Sequence, residues 1–178
     1  MPTLTETGRF VFRSLTEIGE PIYGIDDTVR EKILDNIKAT LDGILIANGY
    51  DNDIASVQRW KQNGNDLKDV PAIIVKAGPE QNIDNRFPLV TRKMTVFLDL
   101  WIRESEGSAT DTDEKLNSLL GDLQRAMKQD ITRGGFAVDS LIGSIVPFEI
   151  VEGEPHAGLI LEFEIHYRTR QDDPKTAG

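Results

Sequence analysis

Apolar residues are scattered irregularly up to Tyr23 and fall into a helical stripe from Asp26 onward, and that change divides the chain. Val29, Ile33, Ile37, Leu41 and Ile44 recur three or four positions apart, with Leu34 and Leu45 widening the stripe. The spacing predicts an amphipathic helix over roughly residues 28–48. Thr28 with Glu31 three residues later forms a capping box, and Gly49 after Asn48 supplies a left-handed exit. Ile54–Trp60 is rich in strand formers, residues 61–69 read as a polar loop, and Ala72–Ala77 reads as a buried strand closed by Gly78-Pro79. In Leu89–Arg103 the alternation is long and regular. Met94, Val96, Leu98, Leu100 and Ile102 face one way, and Lys93, Thr95, Phe97, Asp99, Trp101 and Arg103 the other. Leu116, Leu119, Leu120, Leu123 and Met127 mark a second helix, which Arg133-Gly134-Gly135 ends. Strands over Ser144–Glu152 and Gly158–Arg168 complete the pattern.

Helix, strands, helix, strands is the order of an α+β domain: a mostly antiparallel β-sheet with two amphipathic helices packed on it. The expected organisation is an N-terminal arm over residues 1–25, a single domain over 26–168, and a flexible C-terminal tail over 169–178. The arm holds Phe10, Val11, Phe12, Leu15, Ile18, Ile22 and Tyr23 between Gly8, Gly19, Pro21 and Gly24. Exposed aromatics on a loose segment are a liability, so the arm is expected either to dock on the domain or a neighbouring subunit, or to add a strand to the same fold.

Composition narrows the function classes. At 178 residues with 39% hydrophobic side chains, one well-cored domain is expected and wholesale disorder is excluded. Twenty basic against thirty acidic residues give a formal charge of −10, which disfavours sequence-independent binding to nucleic-acid backbones. The absence of cysteine removes disulfides, thiolate nucleophiles and Cys-based metal sites, and two histidines remain for softer metals. No stretch reaches the ~18 uninterrupted apolar residues of a spanning helix, so a soluble, cytosol-made protein is expected, with no membrane partner.

Candidate chemistry is thin. Asp51 and Asp53 resemble the opening of a calcium loop, but the sixth position of that frame is Ser56 and the twelfth Gln62, so the residues read as a polar turn. Gly134-Gly135 lacks the Lys-Ser/Thr of a phosphate loop, and no Gly-x-Ser-x-Gly elbow occurs. His156 falls in a turn, and His166 lies beside Glu164 on a strand's polar face with no nucleophile placed to join it. The acidic run Glu104, Glu106, Asp111, Asp113 and Glu114 suits a solvated linker and a helix start. No catalytic, cofactor or metal site is assigned. A small metal-dependent or acid–base hydrolase using Asp111, Asp113, Glu164 and His166 is the alternative from a different class. An adaptor that wraps a partner with its arm is a third.

The layout nevertheless has landmarks: Asn48-Gly49-Tyr50 closing the first helix, Pro71-Ala72-Ile73-Ile74-Val75 before Gly78-Pro79-Glu80, and Phe97-Leu98-Asp99-Leu100-Trp101 in the long strand. An acidic linker, a leucine helix, Gly134-Gly135 and a closing Phe163-Glu164-Ile165-His166-Tyr167 follow. Over roughly residues 28–168 this order resembles the tail-terminator (tail-completion) proteins of tailed bacteriophages. The resemblance implies a non-enzymatic virion protein of the tail neck, assembled in the host cytoplasm. As a homohexameric ring it would stop tail-tube polymerisation and offer a joining face to the head. Its implied partners are further copies of itself, the tail tube protein, a head–tail connector or neck protein and, in a contractile tail, the sheath protein. DNA would be passing cargo, and six copies at −10 each would repel it if the charge lines the lumen. A head–tail connector or other neck subunit is the nearest alternative. Expected contacts are Phe97, Trp101 and Arg103 on the long strand, Asn82, Asp84, Asn85 and Arg86 in an eleven-residue loop over 78–88, and Phe10 and Phe12 of the arm; for Phe97 and Trp101 the alternative is packing under the second helix or the arm.

Overall fold

The computed structural model describes residues 27–60, 67–103, 109–148 and 156–178. Helix α1 spans Val29–Asp42 and buries Val29, Ile33, Leu34, Ile37 and Leu41, the stripe expected from the spacing. The Thr28 hydroxyl accepts the Glu31 N–H at 3.2 Å, as the capping box requires. The helix stops six residues earlier than expected because Gly43 is its C-cap. The chain then turns once more as a 3₁₀ helix at Ile46–Asn48, closed by Gly49 at φ +84°. Asp53 accepts the Ile46 N–H at 2.6 Å and the Asn48 amide donates to the Gly43 carbonyl at 2.9 Å. Ile44 stays fully buried outside the helix, which is why the apolar spacing ran past the true end.

Five strands form one mixed sheet: β1 Ser56–Arg59, β2 Ala72–Arg86, β3 Leu89–Arg103, β4 Asp139–Pro147 and β5 His156–Arg170, in spatial order β1-β2-β3-β5-β4. All pairings are antiparallel except β1 with β2. Helix α2, Ala109–Gln129, packs beside α1 on the same face of the sheet, so the expected α+β architecture holds. The main core lies between them, where Leu119, Leu123 and Met127 meet Met94, Val96, Leu98, Leu100, Leu161, Phe163 and Ile165.

Three further expectations need correction. Gly78-Pro79 does not close a strand, because β2 runs on to Arg86 in register with β3, and the eleven-residue loop is a tight turn at Phe87-Pro88, whose peptide bond is cis. The strand absorbs Pro79, which has no N–H to donate, in a register shift between Ala77 and Glu80, and a second shift follows Asn82. Gly78 is required there: a side chain would strike the Phe97 ring, 2.6 Å from the ideal Cβ position. The tail expected to be flexible instead folds back on the domain. The Pro174 carbonyl accepts the Val29 N–H at 3.0 Å, satisfying an open donor of α1, and Gln171 donates to Pro88 at 2.8 Å. Thr169 bridges Ala177, and Asp173 caps the turn through the Lys175 N–H at 3.0 Å. The fourth strand also begins earlier than expected, at Asp139 instead of Ser144.

Candidate assembly surfaces

Helices cover one face of the sheet, and the other face carries the polar half of each strand's alternation. There Leu67, Ala72 and Ile74 form a small second core with Val70 and Trp101. Trp101, expected as a subunit contact, stacks on Phe148 at 4.3 Å between ring centroids, with His156 edge-on at 6.5 Å. Phe148 closes over Gly158, where any Cβ would sit 2.5 Å from its ring. Phe97 is half-buried above Gly78. Both aromatics therefore have intramolecular packing partners. Arg103, at the end of β3, is exposed. Phe10 and Phe12 lie outside the described residues.

Asn82, Asp84, Asn85 and Arg86 do come together, on the outer half of a β2–β3 ribbon. Asn82, Asn85 and Arg86 are exposed and Asp84 is half-buried, pairing with Arg86 at 3.2 Å. Ile83 is 49% exposed and Phe87, at the tip, 83%. Glu80 fixes the base of this ribbon: it receives Arg30 of α1 at 3.2 Å, Arg92 of β3 at 3.4 Å and the Tyr167 hydroxyl of β5 at 2.8 Å. Burial first, and then the Glu80 carboxylate, push the Tyr167 hydroxyl up to about 12. The ribbon is thus anchored at its root and apolar at its tip.

A second surface lies where β1 ends. Trp60 has φ +54° and is 67% exposed, beside a groove of about 250 Å³ lined by Arg30, Leu34, Arg59, Val75 and Ala77. Its neighbour Arg59 is tied to Glu31 and Asp35 of α1, and that pairing holds the Glu31 carboxyl below its ordinary range. The tie leaves the indole standing clear. A bulky side chain at positive φ is strained, and such strain concentrates at functional positions. The third surface is the outer edge of β4, where Leu141, Ile145 and Val146 are exposed together with nearby Ile131 and Val138. Sequence reasoning did not single out Trp60, Phe87 or the β4 edge as surface features. Phe87-Pro88 after Asn85-Arg86 was a readable turn signal, whereas nothing in the alternation marked Trp60 as exposed.

Several of the polar groups singled out as candidate chemistry have structural work, while Glu104 and Glu106 lie outside the described residues. Asp122 of α2, 2% exposed, accepts the N–H groups of Asp51 and Asn52 at 3.1 and 2.9 Å, which makes the Asp51–Asp53 segment a capped turn. His166 contacts Glu164 at 2.7 Å on the open sheet face, and Lys93 also pairs with Glu164. The Lys93 ammonium, followed by the His166 ring, holds the Glu164 carboxyl below its ordinary range. Asp111 and Asp113 stand at the start of α2, on the helix side of the sheet. Asp113 accepts the Asn117 amide at 3.1 Å. The four hydrolase candidates are therefore split between opposite faces. Among the described residues no three His, Asp or Glu side chains converge as a metal site, and no helix is long and apolar enough to cross a membrane. No protein-family model matches the chain, and no curated protein matches it significantly.

Proposed function

We propose that this chain is a structural subunit that assembles with copies of itself into a ring at the head-proximal end of a phage tail tube, ending tube growth and presenting a surface for head joining. The observation that carries the reading is the β2–β3 ribbon, anchored at Glu80 and ending in the exposed Phe87. A ribbon fixed at its base with a bare aromatic at its tip suits insertion into a neighbour, since buried aromatic anchors dominate protein interfaces. Head-to-tail contacts of this kind close into rings when the rotation per subunit permits. The landmarks shared with tail terminators set the expected number at six and supply the tube and neck partners. The large grooves beside Trp60 and β4 are open at the surface, a shape that fits docking better than enclosure of a substrate.

Mass measurement of the purified protein, alone and after mixing with the tube protein of the same particle, tests this. The expected result is a hexamer, formed either alone or on the tube. A twelvefold ring would favour the connector or neck reading, and a monomer under both conditions would end the proposal.

A further inference from the structure

The two long free edges of the sheet are protected differently. The outer half of β2 carries Gln81, Asn82, Asp84, Asn85 and Arg86, together with Pro79 and two register shifts, all features that discourage strand addition. β4 also has one register shift, between Ile142 and Ile145, and ends in Pro147, but Asp139 is the one charge in its nine residues, and Leu141, Ile145 and Val146 are exposed. On its helix side, Ser140, Ile142 and Ile145 pair with Ile165, Phe163 and Leu161, and an open groove of about 610 Å³ runs beside them, lined by Gln124, Lys128 and Ile131 and by residues 139–142 of β4 itself. On its open side, Asp139 and Leu141 pair with His166 and Glu164, and Glu162 lies next to Gly143. Asp139 accepts the Ser140 N–H at 2.8 Å and Glu162 accepts the Ser144 hydroxyl at 2.5 Å, and neither carboxylate meets a basic side chain among the described residues.

We propose that residues 9–13 of the same chain, Arg-Phe-Val-Phe-Arg, cover this edge as an added strand beside β4. The segment has the alternation that the edge calls for. As a strand it places Phe10 and Phe12 on one side, toward the groove bordered by Ile131 and Ile142. Arg9, Val11 and Arg13 fall on the other, toward Asp139, Leu141 and Glu162. Two cations thus meet two carboxylates that lack a cation, and two aromatics meet a groove whose walls include Ile131, Leu141 and Ile142. The tether is long enough: residues 14–26, fully extended, reach about 45 Å. They join α1 where its first turns already stand beside the start of β4, with the Lys32 ammonium 5.5 Å from the Phe136 ring centroid and Asn36 3.2 Å from Asp130. A short tether also gives a segment of the same chain a high effective concentration over any second copy. The inference concerns one chain and stands whether or not rings form.

The chain has no cysteine, so an engineered pair reports without interference. Val11→Cys combined with Leu141→Cys, oxidised at low protein concentration, is expected to close a disulfide within one chain, whereas Val11→Cys with Asn85→Cys on the β2 edge should not. Hydrogen exchange supplies a second readout. Outward-facing amides of residues 139–147 are expected to be protected in the full chain and to lose that protection when Phe10 and Phe12 are both replaced by Ser, while β5 amides stay unchanged. Disulfides joining two chains, equal cross-linking to Asn85→Cys, or exchange at β4 indifferent to the Phe10 and Phe12 substitutions would each overturn the proposal.

Discussion

Arg133 is fully buried at φ +51°, one of the two non-glycine residues in the left-handed region among those described. Its guanidinium donates to the Met127 carbonyl at the end of α2 and to the Ser140 hydroxyl of β4 at 3.2 Å, and lies 5.0 Å from the Phe163 ring centroid. Burial lowers its pKa to about 10, against the pull of Asp130. Arg133→Ala would leave a cavity and an orphaned helix carbonyl, and should cost about 2–4 kcal/mol, read as a lower urea midpoint at unchanged slope. Asp130 sets an acid limit on the same corner. Burial alone would raise its carboxyl, but the Gly134 N–H, the Thr132 hydroxyl, the Asn36 amide and the Arg133 charge together hold it below 3.8. The native state therefore binds this proton more weakly than the unfolded chain. Its stabilisation is complete above pH 3.8 and is lost as pH falls through the lowered native value. Asp130→Asn should lower stability above about pH 4, where the charge contributes, and flatten the acid limb below it.

The elements differ in how far the sequence disclosed them. The α1 stripe and its Thr28 cap, the core face of β3 and the leucine stripe of α2 were legible because each has a single buried face of constant period. The outer half of β2 was not, since strand residues exposed on both sides show no alternation, and Pro79 in a register shift looks from sequence like a stop. Asp122 and Arg133 were invisible for another reason: their partners lie in other segments, so no local pattern marks them. Of the expected contact residues, the cluster from Asn82 to Arg86, read from sequence as a loop, is a ribbon. Trp101 turned out to have an internal partner in Phe148. Ribbon and fold are separable. Phe87→Ser removes an 83% exposed ring, so unfolding free energy should move by no more than about 0.5 kcal/mol while assembly is lost. A variant that assembled normally would remove the ribbon tip from the interface.

At the scale of the whole molecule, the helices seal one face of the sheet. The ribbon tip and the Trp60 groove remain as apolar surface. A ring cap needs contacts to two neighbours and two unlike end faces, which takes a large share of a 178-residue chain's surface. In the assembly we propose, the ribbon tip and the Trp60 groove grip copies of the chain and close off a growing tube. The most direct test is the length of tubes polymerised from the tail-tube protein of the same particle, followed by electron microscopy as this protein is added in rising amounts. Growth arrested at one end, with a six-subunit ring visible there and tube length falling as the ratio rises, is the predicted result. Tubes of unchanged length with both ends bare would contradict it.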